Sequence, residues 1–294
     1  MAKKAKTVSY SQYSIYKACP HQWYLQYPMK QATFKPSIHL VFGTSIHETL
    51  QLWLKVMYSQ SGKAADEMNL VADFKTRFVE EYKKRLRDNN NEHFSSKEEL
   101  QEFYEDGIAI LEWVSKRRKK YFSIRNVELV GIEIPVLTQA NEGIANVSFK
   151  GSIDFILYHK IAKKYSIFDI KTSTRGWSDY EKKDDTKINQ VLLYKRNFAK
   201  IHNVPEDDID VTFFIVKRKV PEVSEFPIKR VQEFKPAHGK VKVNKAEKDF
   251  QAFLTECFTP EGLYSEKKYF KNVGQSCKFC PFNNRPELCD KKND

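Results

Sequence analysis

Two hydrophobic periods divide the chain. From Ser9 to about residue 122, apolar side chains recur at three- and four-residue intervals, the spacing of a single helix face. Tyr10, Tyr13 and Tyr16, then Trp23 and Tyr27, predict short helices broken near Pro20. Ile46, Leu50, Trp53, Leu54 and Met57 predict a helix over 43–58, with Thr44 or Ser45 able to cap its start. Residues 66–87 and 96–122 predict two further helices of alternating charge, joined by a polar stretch from Asn89 to His93.

Beyond residue 126 the pattern changes to β-branched and aromatic runs. Strands are expected at 127–137 and 144–150, with Asn141-Glu142-Gly143 as their turn. A hairpin follows, 151–158 against 165–172. Residues 186–201 return to helical spacing through Ile188, Val191, Leu192, Phe198 and Ile201, and 211–217 reads as another strand. Hairpin, helix and strand in that order suit a βαβ-type crossover, hence an α/β fold with a mixed sheet. A last helix is expected at 245–258 and contains Cys257, read as structural.

Each strand of the hairpin carries one Asp where an ordinary strand has none. Side chains alternate along a strand, so Asp169 and Lys171 share a face while Ile170 points the other way, and Asp154 sits on the paired strand. Two carboxylates and an ammonium on a small sheet cost desolvation and repulsion, which a divalent cation between the Asp residues offsets. A solvated strand face is the competing reading of any single Asp-x-Lys. His47 lies beside the apolar face of its helix and matters chemically only if the fold carries it to the two Asp. Gln190 and Tyr194 stand one turn apart on the 186–201 helix. The polar loop 173–186, with Trp177 and Tyr180 embedded, is a candidate for stacking single-stranded bases or an ordinary surface loop.

Charge narrows the partner. The 294-residue chain has a net charge of +12, which favours a polyanion because Lys and Arg displace counterions condensed on phosphates. The run Lys116 to Lys120 is either a phosphate-facing patch or a solvated helix end. Basic residues recur from Lys217 to Lys245. No run is long and apolar enough to span a membrane, and the first residues lack the core of a signal peptide, so an intracellular, cytoplasmic location is expected. Five cysteines in a reducing compartment read as metal ligands, reactive thiols or core filler rather than disulfides. Cys277-x-x-Cys280 lets two sulfurs of one turn reach one metal, and Cys289 follows. Three thiolates are one short of a closed site, and Cys19 is the candidate fourth.

Taken together these motifs resemble the RecB-like branch of the PD-(D/E)xK nucleases, in particular the iron–sulfur group with the AddB-type nuclease domain and the CRISPR-adaptation exonucleases. His47 in Gly-x-x-x-His, Asp154 in Gly-x-Ile-Asp, Asp169-Ile170-Lys171-Thr172 and Gln190-x-x-x-Tyr194 match in order. Cys19 before Pro20, with Cys277, Cys280 and Cys289, matches the cluster ligands. No Gly-x-x-x-x-Gly-Lys-[Ser/Thr] occurs, so ATP-driven unwinding is not encoded in this chain.

The resemblance implies a restriction-endonuclease-like α/β core with a mixed central sheet flanked by helices, a helical amino-terminal region and a carboxy-terminal cysteine segment. The expected division is 1–125, helical, with Cys19 and His47; 126–220, the nuclease core; and 221–294, a basic and cluster-binding segment packed as one unit with the amino terminus. It implies a metal-dependent DNA exonuclease. His47, Asp154, Asp169 and the Ile170 carbonyl would hold Mg²⁺ or Mn²⁺, and Lys171 would orient the attacking water. Gln190 would position Lys171 or the substrate, and Tyr194 would contact the DNA backbone. Cys19, Cys277, Cys280 and Cys289 would bind a 4Fe-4S cluster, with zinc as the alternative metal. DNA, as single strands or duplex ends, is the implied partner, with a recombination, replication or helicase protein and self-association left open. A catalytically silent or zinc-stabilised nucleic-acid-binding scaffold is the competing class.

Overall fold

The protein is described here by a computed structural model covering residues 5–32, 35–221 and 228–291. The amino-terminal tip, 1–4, residues 222–227 of the basic segment and the last residues, 292–294, lie outside the described residues. The elements run β1 (Lys6–Val8), α1 (Tyr10–Ala18), α2 (Pro20–Gln26), α3 (Ile38–Ser59), α4 (Gly62–Asp66), α5 (Leu70–Asp88), α6 (Lys97–Ser115) and α7 (Arg118–Tyr121). They continue with β2 (Val127–Gln139), β3 (Val147–His159), β4 (Lys164–Ser173), α8 (Asp185–His202), β5 (Ile209–Lys217), β6 (Val231–Phe234) and α9 (Lys240–Cys257). Among the described residues, no helix is long and apolar enough to cross a membrane.

A six-stranded mixed sheet separates two apolar layers. Alternation along β5 shows why: Val211, Phe213 and Ile215 join one core, while Phe214 and Val216 join the other. Helices α1, α2, α8 and α9 cover the first face, and α3, α5 and α6 the second. Strands β4 and β5 are parallel, joined across α8, and the expected hairpin pairs antiparallel from Phe155↔Phe168 to His159↔Lys164. This is the expected α/β architecture, consistent with a restriction-endonuclease-like fold.

Several boundaries differ from the periodicity. The expected strands 144–150 and 151–158 are one continuous strand, β3, beginning at Val147, because β2 pairs alongside it from Ser148 to His159. The 66–87 helix starts only at Leu70, since Asn69 accepts a hydrogen bond from the Ala72 N–H and caps α5, and the short α4 before it ends at Asp66. The 96–122 helix ends at Lys116. In the basic run that follows, Arg118 turns inward and grips Asp66 with two hydrogen bonds, 2.7 and 2.8 Å, so it is not part of a phosphate-facing patch. Helix α3 begins at Ile38, capped by Ser37 rather than by Thr44 or Ser45. Helix α9 starts five residues early, within the basic stretch, because Val243, Ala246 and Phe250 extend its buried stripe.

One irregularity positions everything that follows. Strand β2 fills one edge of β3, while the other edge is shared: β1 pairs with Val147 to Phe149, and β4 pairs only from Phe155 onward. Residues 150–154 face the opening between them. At the same point both strands of the β2–β3 pair turn over. Ile153 and Ile134 pack with the α8 layer, whereas Phe155 and Ile132 pack with the α3 layer. Between them on β2 stands Glu133 with φ at 49°, a left-handed conformation that costs a residue other than Gly about 1 kcal/mol.

Layer packing is tight where α6 meets α5. A Cβ on the buried Gly107 would lie 2.3 Å from the ring of Phe74. Helix propensity favours Ala by about 1 kcal/mol, but overpacking costs about 1–3 kcal/mol and a clash this close sits at the upper end. Gly107→Ala is expected to lose about 1–2 kcal/mol in chemical denaturation, with an unchanged denaturant slope.

Candidate active site

The opening on β3 lets residues from both layers reach the same two strands. From β4, Asp169 and Lys171 project toward α8. From α3, on the opposite layer, His47 brings Nδ1 to 3.6 Å from Asp154 Oδ2. Where the main chains of β3 and β4 part, a side chain replaces the ladder: the Ile170 N–H donates to Asp154 Oδ2 at 2.5 Å. Lys171 Nζ lies 2.9 Å from Asp169 Oδ2 and donates to Gln190 Oε1 at 2.9 Å. Gln190 Nε2 in turn donates to the Tyr194 hydroxyl at 3.3 Å. His47, Asp154, Asp169, Lys171, Gln190 and Tyr194, drawn from α3, β3, β4 and α8, form one chain of contacts, with Ile170 between the two Asp side chains.

Burial sets the charge states. It pushes the Asp154 carboxyl well above its ordinary value, and the Asp169 charge adds to this, against the Ile170 N–H and Lys171. Burial raises Asp169 as well, with Lys171 pulling it back down. Glu133 pushes both upward. Lys171 is opposed by burial, yet Asp169 outweighs it and holds the ammonium above its usual value. Burial lowers His47 to about 4, helped by the Lys171 charge and opposed by a hydrogen bond to the Ile170 backbone. Its imidazole is therefore neutral near pH 7, with a lone pair to offer.

These features fit a divalent cation. Asp169 is 3 % exposed, and its Oδ2, though close to Lys171, takes no well-formed hydrogen bond. A buried and a half-buried carboxylate repelling each other beside a neutral imidazole and a main-chain carbonyl are a hard donor set, suited to Mg²⁺ and, through nitrogen, to Mn²⁺. Among the described residues no group of three or more His, Cys, Asp or Glu stands close enough to hold an ion as placed, so binding requires the side chains to draw together.

The four cysteines Cys19, Cys277, Cys280 and Cys289 line one cavity, with Leu25 and Phe282 among its other lining residues. Burial raises the Cys280 thiol, and Cys19, Cys289 and Cys277 raise it further, as close neighbouring sulfurs do. The Asn272 N–H donates to Cys19 Sγ and the Gly274 N–H to Cys277 Sγ, both at 3.5 Å. Around this cavity the chain ends are tied directly: the His21 ring meets the Leu288 carbonyl at 3.0 Å, and Arg285 donates to the Gln31 carbonyl at 3.0 Å. An electropositive centre would favour the thiolate form of these sulfurs, so the donor set fits an iron–sulfur cluster or zinc, which like the carboxylate site requires the ligands to draw together. Cys257 is elsewhere, in the core, with burial raising its thiol.

Two expectations about aromatic residues change. Trp177 is 8 % exposed, its ring 4.7 Å from Phe213 with the Lys187 ammonium above it, so it is a core residue and not a base-stacking platform; Tyr180, 85 % exposed, remains free. Tyr194 is 5 % exposed and packs over Gly151, where a Cβ would approach its ring to 2.7 Å. Its place is behind Gln190 rather than against a DNA backbone. Sequence reading passed over Gln51 and Glu133. Gln51 had one visible signal, a polar side chain four residues after His47 on an apolar helix face. Glu133 had none, because a left-handed residue inside a strand leaves no trace in the alternation.

A comparison with protein families matches residues 7–285 to the PD-(D/E)XK nuclease superfamily, whose members are hydrolases that typically use Mg²⁺ or Mn²⁺. The chain belongs to this superfamily. No curated protein matches it.

The His47 reading has a direct check. The unfolded imidazole binds a proton below about 6.5, the folded one only below about 4, so acidification across that window favours the unfolded chain. In the metal-free protein, an NMR titration of the His47 ring should give a midpoint near 4, and stability should fall as pH drops from 6.5 to 4. A midpoint near 6.5 would show an imidazole that is not enclosed by the site.

Proposed function

We propose that this chain is a metal-dependent DNA exonuclease that hydrolyses phosphodiester bonds at the opening in β3, on single strands or duplex ends. The observation that carries the reading is the convergence of His47, Asp154, Asp169 and Lys171 on that opening from three separate elements, α3, β3 and β4. His47, Asp154, Asp169 and the Ile170 carbonyl hold Mg²⁺ or Mn²⁺. When bound, the cation lowers the pKa of a water and neutralises charge on the scissile phosphate.

The chain's own residues do the rest. Lys171, kept charged by Asp169 and aimed by Gln190, orients the water and stabilises the extra negative charge of the transition state, help commonly worth about 3 kcal/mol. Tyr194 holds Gln190, so both are positioning residues. His47, neutral at working pH, ligates without first losing a proton. The net charge of +12 draws the polyanionic substrate.

Exonuclease action and a 4Fe-4S cluster at Cys19, Cys277, Cys280 and Cys289 rest on the resemblance of these motifs to the RecB-like branch, supported by the shared cysteine cavity. The cluster clamps the two chain ends. The alternatives are a zinc clamp and a silent scaffold.

The test is cleavage of end-labelled single- and double-stranded DNA with Mg²⁺ or Mn²⁺, using protein purified without oxygen, wild type against Lys171→Ala. Cleavage that depends on metal, releases label progressively from ends and falls about 100-fold or more in the variant is expected. A wild type that binds DNA but never cuts with either metal contradicts the reading and leaves the scaffold. Iron and sulfide copurifying with the chain distinguish the cluster from zinc.

A further inference from the structure

Gln51 is an amide 5 % exposed on the face of α3 that otherwise carries Ile46, Leu50 and Leu54, one turn beyond His47. A buried amide needs partners. Its Nε2 donates to Glu133 Oε1 at 2.6 Å and approaches the main-chain carbonyl of Asp154 at 3.3 Å. The other carboxylate oxygen of Glu133 accepts from Ser152 Oγ at 2.6 Å. One carboxylate on β2 thus spans from the helix that carries His47 to the strand that carries Asp154, and holds β3 two residues before that Asp.

The backbone of Glu133 serves the same point. It lies opposite Asp154, between the pairs Ile132↔Phe155 and Ile134↔Ile153, and its left-handed φ accompanies the turn-over of both strands there. Glycine would adopt that conformation freely. A third carboxylate beside Asp154 and Asp169 also adds repulsion to the metal-free fold. Strain and repulsion at one exposed position are costs that the fold alone does not require.

We propose that Glu133 is a positioning residue: braced on Gln51 and Ser152, it fixes the separation of His47 from Asp154 and so preorganises the cation site. The inference rests on the nuclease reading above. Outer partners of ligands commonly change metal affinity by about 10–100-fold.

Three variants test it: Glu133→Gly, Glu133→Gln and Gln51→Ala. The probe is Mn²⁺ alone, with free ion followed by electron paramagnetic resonance, together with thermal unfolding and the kcat and KM of DNA cleavage. Glu133→Gly is expected to unfold at the wild-type temperature or above while weakening Mn²⁺ binding about tenfold or more and lowering kcat, with the KM for DNA unchanged. Gln51→Ala should show the same Mn²⁺ defect. Glu133→Gln, which still offers an oxygen to Gln51 and an N–H to Ser152, should recover most of the affinity. Wild-type Mn²⁺ affinity and kcat in Glu133→Gly overturn the proposal while leaving the nuclease reading intact, as does a loss that tracks unfolding with no recovery in Glu133→Gln. A wild type that neither binds Mn²⁺ nor cuts DNA overturns both.

Discussion

The hydrogen bond from the Ile170 N–H to Asp154 Oδ2 marks the constraint on which the structure turns. A sheet satisfies its backbone by pairing strands edge to edge, and at residues 150–154 of β3 that pairing stops on one side. A carboxylate takes over from the missing carbonyl. That substitution places the half-buried Asp154 near the buried Asp169, and two such groups do not both carry full charge at low cost without compensation. Lys171 compensates one charge and leaves the other. The metal-free fold is therefore held with an unmet electrostatic demand at its centre, the state expected where a cation binds.

The two apolar layers make this arrangement tolerable. Helix α3 brings His47 from one face, and α8 brings Gln190 and Tyr194 from the other, each anchored by a long buried stripe. Because the helices are fixed by packing, the polar groups they carry converge with little freedom to retreat. Gly151 belongs to the same design: without a Cβ it lets Tyr194 close over the strand and back Gln190. At the far end of the first layer, the cysteine cavity ties residues near Cys19 to residues near Cys289, joining the ends of the chain that encloses the sheet.

Much of this was legible in the sequence, for identifiable reasons. The hairpin and crossover showed because period-two and period-3.6 patterns are strong over runs of this length. Asp154, Asp169 and Lys171 stood out because charge inside a β-branched run is costly, and the His47 and Gln190-x-x-x-Tyr194 spacings followed helix geometry. What stayed hidden is what periodicity does not encode. Strands β1 and β6 are three and four residues long, too short to show a period. Trp177 looked like a surface aromatic because its loop is polar, yet Phe213 and Phe234 draw it into the core. The turn-over at Glu133 is a backbone event, visible only when both strands are seen with their cores.

Crystals grown with Mn²⁺ test the central claim most directly, through the manganese anomalous signal. A peak within ligand distance of His47, Asp154, Asp169 and the Ile170 carbonyl is the result this account predicts. Manganese bound elsewhere on the protein, with the β3 opening empty, would contradict it.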